Sequence, residues 1–194
     1  MVDAWKDSRL PEKQLALNRT ELAGAYPEHW TAFLSCLRRI PDTLPVYDIG
    51  CGVGATYALL RQEGRSQPYI GLDFSEAMIQ AARTAWSADV FVVEDYRTMT
   101  RDVSDGILYC TGLLDIVDDG VRELTRLLSF RAPYVILNRI NLGRVASVRM
   151  YQAYDTIPCY SYTFSVSDFE STIRRHGYQI EAQTGSCFLL RRTA

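Results

Sequence analysis

Val46-Tyr47-Asp48-Ile49-Gly50-Cys51-Gly52-Val53-Gly54-Ala55 runs an apolar strand straight into three glycines at alternate positions. A strand ending this way predicts a sharp strand-to-helix turn, because glycine accepts a left-handed backbone and lets main chain approach a ligand without a Cβ clash. Working outward, a helical pattern fits Gly54–Gln62, followed by a second β-type run, Tyr69–Phe74, and a second helix, Glu76–Trp86 with Ser75 as N-cap. The alternation continues with strands at Val90–Val93, Gly106–Cys110 and Tyr134–Ile140 and a helix at Asp119–Ser129. A helix at Asp168–His176, with Ser167 as N-cap and Gly177 as stop, then leads to strands at Tyr178–Gln183 and Cys187–Arg191.

Strands alternating with helices predict an α/β fold with a mostly parallel, doubly wound, Rossmann-like sheet of seven strands covered by helices on both faces. Only Thr184, Gly185 and Ser186 separate the last two strands, too few for a crossover helix, so that pair is expected to be an antiparallel hairpin and the sheet mixed. Ahead of the first strand, Leu15, Leu22, Trp30, Phe33, Leu34 and Leu37 recur at helical steps, punctuated by Pro27, Pro41 and Pro45. The division expected is therefore a helical cap or lid over residues 1–44 and a ligand-binding domain over residues 45–194.

Composition narrows the function classes. The chain has 194 residues, 47% of them hydrophobic, enough for one domain with a real core. Its net charge is −2 and its 19 arginines and two lysines are scattered, which gives no basic stripe for nucleic acid. No apolar run approaches the ~20 residues of a membrane span, and the N-terminus is too charged for a secretory signal. The expectation is a cytoplasmic protein, monomer or homodimer, away from membranes. Five widely spaced cysteines and two histidines make neither a disulfide framework nor a metal site, so the thiols are expected to be buried and reduced.

Asp73 closes the second strand 19 residues after Gly54, about the spacing at which a carboxylate grips ribose hydroxyls. Turn and acid together indicate an adenosine-containing ligand. Gly50, Gly52 and Ala55 also satisfy a dinucleotide fingerprint, so charge has to separate the alternatives. A pyrophosphate beside the turn would face Asp48, and Asp73, Glu94 and Asp95 stand at neighbouring strand ends. Acids there favour a cation, and S-adenosylmethionine (SAM) carries a sulfonium and an ammonium and no phosphate.

Asp48-Ile49-Gly50-Cys51-Gly52-Val53-Gly54 resembles the glycine-rich motif of class I SAM-dependent methyltransferases. Gly71-Leu72-Asp73-Phe74-Ser75 with Met78, Glu94-Asp95-Tyr96, and Cys110-Thr111-Gly112-Leu113-Leu114 resemble the family elements that follow. The resemblance implies that Asp48, Gly50, Cys51 and Gly52 hold the methionyl end and Asp73 the ribose. It further implies that Phe74 and Met78 flank the adenine, that Asp95 or Glu94 accepts from its amino group beside Tyr96, and that Thr111 and Gly112 line the floor near the methyl. Met78 also falls on a helix with Ile79 and Ala82, where it suits a core equally well.

No motif names the acceptor. A small molecule is expected, and Asp115, His29 and Tyr154 are the candidate bases, on position alone. Four tyrosines fall within Tyr151–Tyr162, a connection long enough to be a lid or a helix-loop covering the sheet edge. That segment and residues 1–30 are expected to close over the ligand, with Arg19 or Asn18 reaching the methionyl carboxylate. Two other functions fit the same residues: a SAM-binding regulatory module without catalysis, and an NAD-dependent oxidoreductase.

Overall fold

The computed structural model describes Trp5, residues 7–153 and residues 157–193. Two helices come first, α1 (Leu10–Ala23) and α2 (Glu28–Leu37). The alternating unit follows as β1 (Val46–Ile49), α3 (Ala55–Gln62), β2 (Tyr69–Asp73), α4 (Glu76–Trp86), β3 (Phe91–Val93), β4 (Ile107–Thr111), α5 (Gly120–Ser129) and β5 (Tyr134–Asn138). The chain continues through β6 (Leu142–Gly143), β7 (Ser147–Ala153), β8 (Ile157–Ser165), α6 (Val166–Arg175), β9 (Tyr178–Thr184) and β10 (Cys187–Arg192).

The main sheet has seven strands in the order β3-β2-β1-β4-β5-β10-β9. The five from β3 to β5 are parallel, while β10 runs antiparallel to both β5 and β9. Order reverses between β1 and β4, so the turns leaving those strands part to opposite sides and open a crevice at their C-terminal ends. The antiparallel pair is the expected hairpin, joined by Gly185 and Ser186 with Gly185 at φ 55°.

Period-two alternation splits the core. Along β4, Ile107 and Tyr109 face a layer formed by α2, α3 and α4, while Leu108 and Cys110 face α5, α6 and β8. These strands are buried on both faces and therefore read as continuous apolar runs. Side-chain caps set three helix starts, with Ser75 Oγ accepting from Met78 N–H, Asp119 from Arg122 N–H, and Ser165 at α6. The expected cap at Ser167 is corrected: Ser165 accepts from Asp168 N–H at 3.0 Å, because the chain turns helical two residues earlier.

The N-terminal helices have different roles. α2 packs on β5, β9 and β10 with Phe33 stacked on Tyr109, so its body is a wall of the core. α1 lies over the rim, against α3 and α4, and the first turn of α2 reaches the same cavity with His29 and Trp30. The tyrosine-rich connection forms a second, three-stranded sheet ordered β6-β8-β7. Along β8, Ile157 and Cys159 face the cluster around Leu10, while Tyr162 and Phe164, on the opposite parity, face α5 and α6. Among the described residues, no helix is long and apolar enough to cross a membrane, and the five cysteines are free and buried.

Gly106 leads into β4 where the chain passes closest to the entry of β1. A Cβ there would fall 2.6 Å from the Pro45 carbonyl oxygen and 2.7 Å from the Tyr47 ring. Backbone cannot yield as a flexible side chain does, so Gly106→Ala is expected to destabilise by about 1–3 kcal/mol. Thermal melting should show a drop of several degrees, and an unchanged melting temperature would contradict this packing.

Candidate functional site

The glycine turn stands on three left-handed residues, Gly50, Gly52 and Gly54, at φ 74°, 54° and 79°. Gly54 has a packing reason as well, since a Cβ there would strike the Phe91 ring at 2.6 Å. Gly52 faces the Gln14 side chain, and its N–H donates to Asp73 Oδ2 at 3.0 Å. The other oxygen of Asp73 accepts from Ser75 N–H at 2.8 Å. One carboxylate thus joins the turn after β1 to the turn after β2. Burial holds its pKa above the usual carboxylate range against the pull of those two amides.

The turn and the neighbouring strand ends enclose a cavity of about 470 Å³. Gly50, Cys51 and Gly52 line one side, with Asp73, Phe74 and Met78 beside them. Glu94, Asp95 and Tyr96 continue the wall after β3, and Thr111 and Gly112 form the part that follows β4. Glu94 is paired with Arg101 at 2.9 Å, and Asp95 accepts from Arg97 N–H in its own turn. The Tyr96 hydroxyl donates to Glu123 at 2.6 Å, and Arg97, Arg122 and Arg126 surround that buried carboxylate. Met78 also belongs to an apolar cluster with Leu10 and Val53, so it packs and lines at once.

Two expected contacts are corrected. Asp48 does not line the cavity: it is fully buried behind the turn, where the Tyr69 hydroxyl donates to its Oδ2 at 2.6 Å and Oδ1 has no hydrogen-bond partner among the described residues. A β1 side chain at that register points into the layer shared with α3 instead of off the strand end. Burial pushes its pKa up to about 7, with the charge of Asp73 adding to the rise and the Tyr69 and Thr56 hydroxyls opposing it. Arg19 does not line it either, since it lies in a shallow depression beside Tyr57 and Trp86, on the other face of α1. Asn18, its neighbour, is buried and does line the cavity.

Among the candidate bases, His29 is in the wall, and burial together with the charge of Arg139 lowers its pKa to about 4. Asp115 lies just behind Gly112, 3.4 Å from Arg139, with burial raising its pKa. Tyr154 lies outside the described residues. No described residue of Tyr151–Tyr162 lines the cavity. Ala153, Ile157 and Cys159 instead join Leu10, Val53 and Met78, so the hairpin straps α1 in place and acts on the cavity through that helix. The sequence reading missed Gln14, Trp30 and Arg139, all in the wall. None belongs to a local motif, and each arrives from an element distant in the chain.

Residues 46–129 match a family model described as "Methyltransferase domain". Over that segment, from β1 through α5, the chain is similar to methyltransferase domains. Over 103 residues it is 32% identical to trans-aconitate 2-methyltransferase from Methylobacterium radiotolerans, a match covering 52% of this chain and 40% of that one. The enzyme of the same name from Variovorax paradoxus is 30% identical over 99 residues, covering 50% and 38%. The match therefore spans about two fifths of these curated relatives' own length. Solved structures agree in fold over more of the chain. A SAM-dependent methyltransferase from Clostridium acetobutylicum superposes with a TM-score of 0.65 at 11% identity, covering 94% of this chain and 99% of that one. Magnesium protoporphyrin IX methyltransferase from Synechocystis PCC 6803, solved with bound SAM, superposes at 0.60 and 16% identity, covering 98% and 90%.

Asp48 gives the fold a testable pH dependence. Its folded pKa of about 7 lies above the ordinary carboxyl value of 3.8, so its contribution to stability is full below about pH 4 and is lost as pH rises through 7. Asp73 and Asp115 are shifted the same way. Asp48→Asn, which keeps the shape and removes the titration, should melt with a smaller decline between pH 5 and pH 8 than the parent. An identical decline in both proteins would show that the Asp48 carboxyl ionises without cost.

Proposed function

We propose that this chain binds S-adenosylmethionine in the cavity at the strand ends and transfers its methyl group to a small-molecule acceptor. The observation that carries this reading is the cradle around Gly52. A Cβ there would lie 2.7 Å from Gln14 Oε1, and that oxygen is buried with no hydrogen-bond partner among the described residues. A ligand with hydrogen-bond donors suits such a place, and the methionyl ammonium is one.

The residue roles follow the chemistry of the wall. Backbone at Gly50 and Gly52, with Gln14 and Asn18 opposite, would hold the methionyl end. Asp73 has lone pairs left beyond its two amides and would accept from the ribose hydroxyls, while Phe74 and Met78 would sandwich the adenine. Asp95, or Glu94, would take the adenine amino group, and Thr111 and Gly112 would lie near the methyl. When bound, SAM supplies an electrophilic methyl on a positively charged sulfur. The protein's contribution is to orient the acceptor and keep water out, and proximity of this kind can supply much of the rate.

Acids decide against a dinucleotide. Asp48 and Asp73 are buried together beside the turn, and a pyrophosphate would add negative charge where both are already disfavoured. The size of the cavity and its cover by α1 support a small acceptor, as trans-aconitate is by name for the relatives above.

Titration calorimetry should give low-micromolar or tighter binding of SAM or S-adenosylhomocysteine and none of NAD. Asp73→Ala should weaken SAM by about 1.5–3 kcal/mol in the folded variant, because a charged acceptor shared by two hydroxyls is lost. Tight NAD binding without a response to either SAM form would refute the proposal, and full SAM affinity in the Asp73 variant would move the ribose elsewhere.

A further inference from the structure

Arg139 is the first residue after β5. Its backbone sits at φ 64°, a left-handed conformation that only a few per cent of residues other than glycine adopt. The turn is braced to hold it there: Arg139 N–H donates to Asn138 Oδ1 at 3.0 Å, and Asn138 Nδ2 donates to the His29 carbonyl at 2.7 Å. Asn138 pairs with Thr111 across the sheet, which sets Arg139 beside the Thr111-Gly112 turn. A Cβ on Gly112 would lie 3.3 Å from Arg139 Nη1, so the glycine leaves room for the guanidinium.

That guanidinium is underused. It has five N–H donors, lines the cavity, and among the described residues makes one loose ion pair, with Asp115 at 3.4 Å. The other arginines of the wall, Arg97 and Arg122, are both tied to the buried Glu123. The remaining titratable groups facing Arg139 are Glu21 from α1 and His29 from α2. Burial disfavours the charge on both Glu21 and Asp115, so the cation is weakly compensated.

We infer that Arg139 anchors the carboxylate of a small organic acid, and that the methyl group goes to a carboxylate oxygen of that acid. This rests on the methyl-transfer reading above. A fork of donors fits a carboxylate in two places at once, which a lysine in the same position would not. The chemistry agrees. An alcohol or ammonium acceptor must lose a proton; of the candidate bases described, His29, lowered to about 4, is a poor acceptor for it, and Asp115 sits behind Gly112 against Arg139 and outside the cavity wall. A carboxylate is already ionised at neutral pH. Its oxygen forms the new bond to the methyl carbon as the carbon–sulfur bond breaks. The electron pair stays on sulfur, which becomes a neutral thioether, and the acid becomes a methyl ester with no proton transferred.

The test uses the full chain, radiolabelled SAM, and a panel of mono-, di- and tricarboxylic acids beside the matching amides, alcohols and amines. The expected product carries alkali-labile label and forms from acids alone. Arg139→Gln should lower kcat/KM by about 100-fold, mainly through KM, and Arg139→Lys by less, while SAM affinity by calorimetry is unchanged in both. Arg139→Gly relieves the left-handed strain and should melt no lower than the parent while losing activity like the Gln variant, which separates anchoring from folding. Label that is alkali-stable, a panel with no acid methylated, or an unaltered KM in Arg139→Gln overturns the inference and leaves SAM binding standing. Absence of SAM binding overturns the underlying reading instead.

Discussion

The carboxylate of Asp73 is the clasp on which the site depends. Its two oxygens take the amides of Gly52 and Ser75, fixing the turns after β1 and β2 relative to each other. Hydrogen bonds to a charged acceptor are among the stronger ones available, and here they are made where water is largely excluded. Three left-handed glycines would otherwise leave the first turn the most mobile part of the sheet edge. With the clasp closed, the cavity has one rigid wall before any ligand arrives, which is what orientation-based catalysis needs.

Charge is arranged along the cavity by the same economy. Towards the β2 and β3 ends the acids are compensated, Asp73 by amides and Glu94 by Arg101. Behind the turn Asp48 lacks a full set of partners, and burial raises it to about 7. Beyond Thr111 the sign reverses, with Arg139 weakly paired and His29 held neutral by burial and that same guanidinium. A cavity that is acidic at one end and basic at the other suits a cationic donor and an anionic acceptor meeting in between.

The cover over this cavity is built by packing at a distance. α1 brings Gln14, Asn18 and Glu21 to the rim, and it is held there by Leu10 against Val53, Met78 and the hairpin residues Ala153, Ile157 and Cys159. β7 and β8 therefore influence the site without touching it. Asp115 links the two regions, since its carbonyl accepts from Tyr162 N–H while its side chain meets Arg139. A shift of the hairpin would reach Arg139 through that hydrogen bond and ion pair.

Local pattern alone determined the seven-stranded sheet, its closing hairpin and the strand-end residues from Gly50 to Gly112. Those features depend on spacing along the chain: an apolar run, glycines where φ must be positive, and an acid at the next strand end. Two kinds of feature were decided only by the tertiary structure. Direction was one, because a strand residue such as Asp48 and a helix residue such as Arg19 point where their register sends them, and a register depends on the neighbours each element finds. Convergence was the other. Gln14, Trp30 and Arg139 share one wall although more than 100 residues separate the first from the last, and no window on the sequence contains them together. The second sheet belongs with the latter: β8 buries Ile157 and Cys159 on one face and Tyr162 and Phe164 on the other, and β7 is exposed along almost its whole length, so neither shows one alternating face and only their pairing makes β7 a strand.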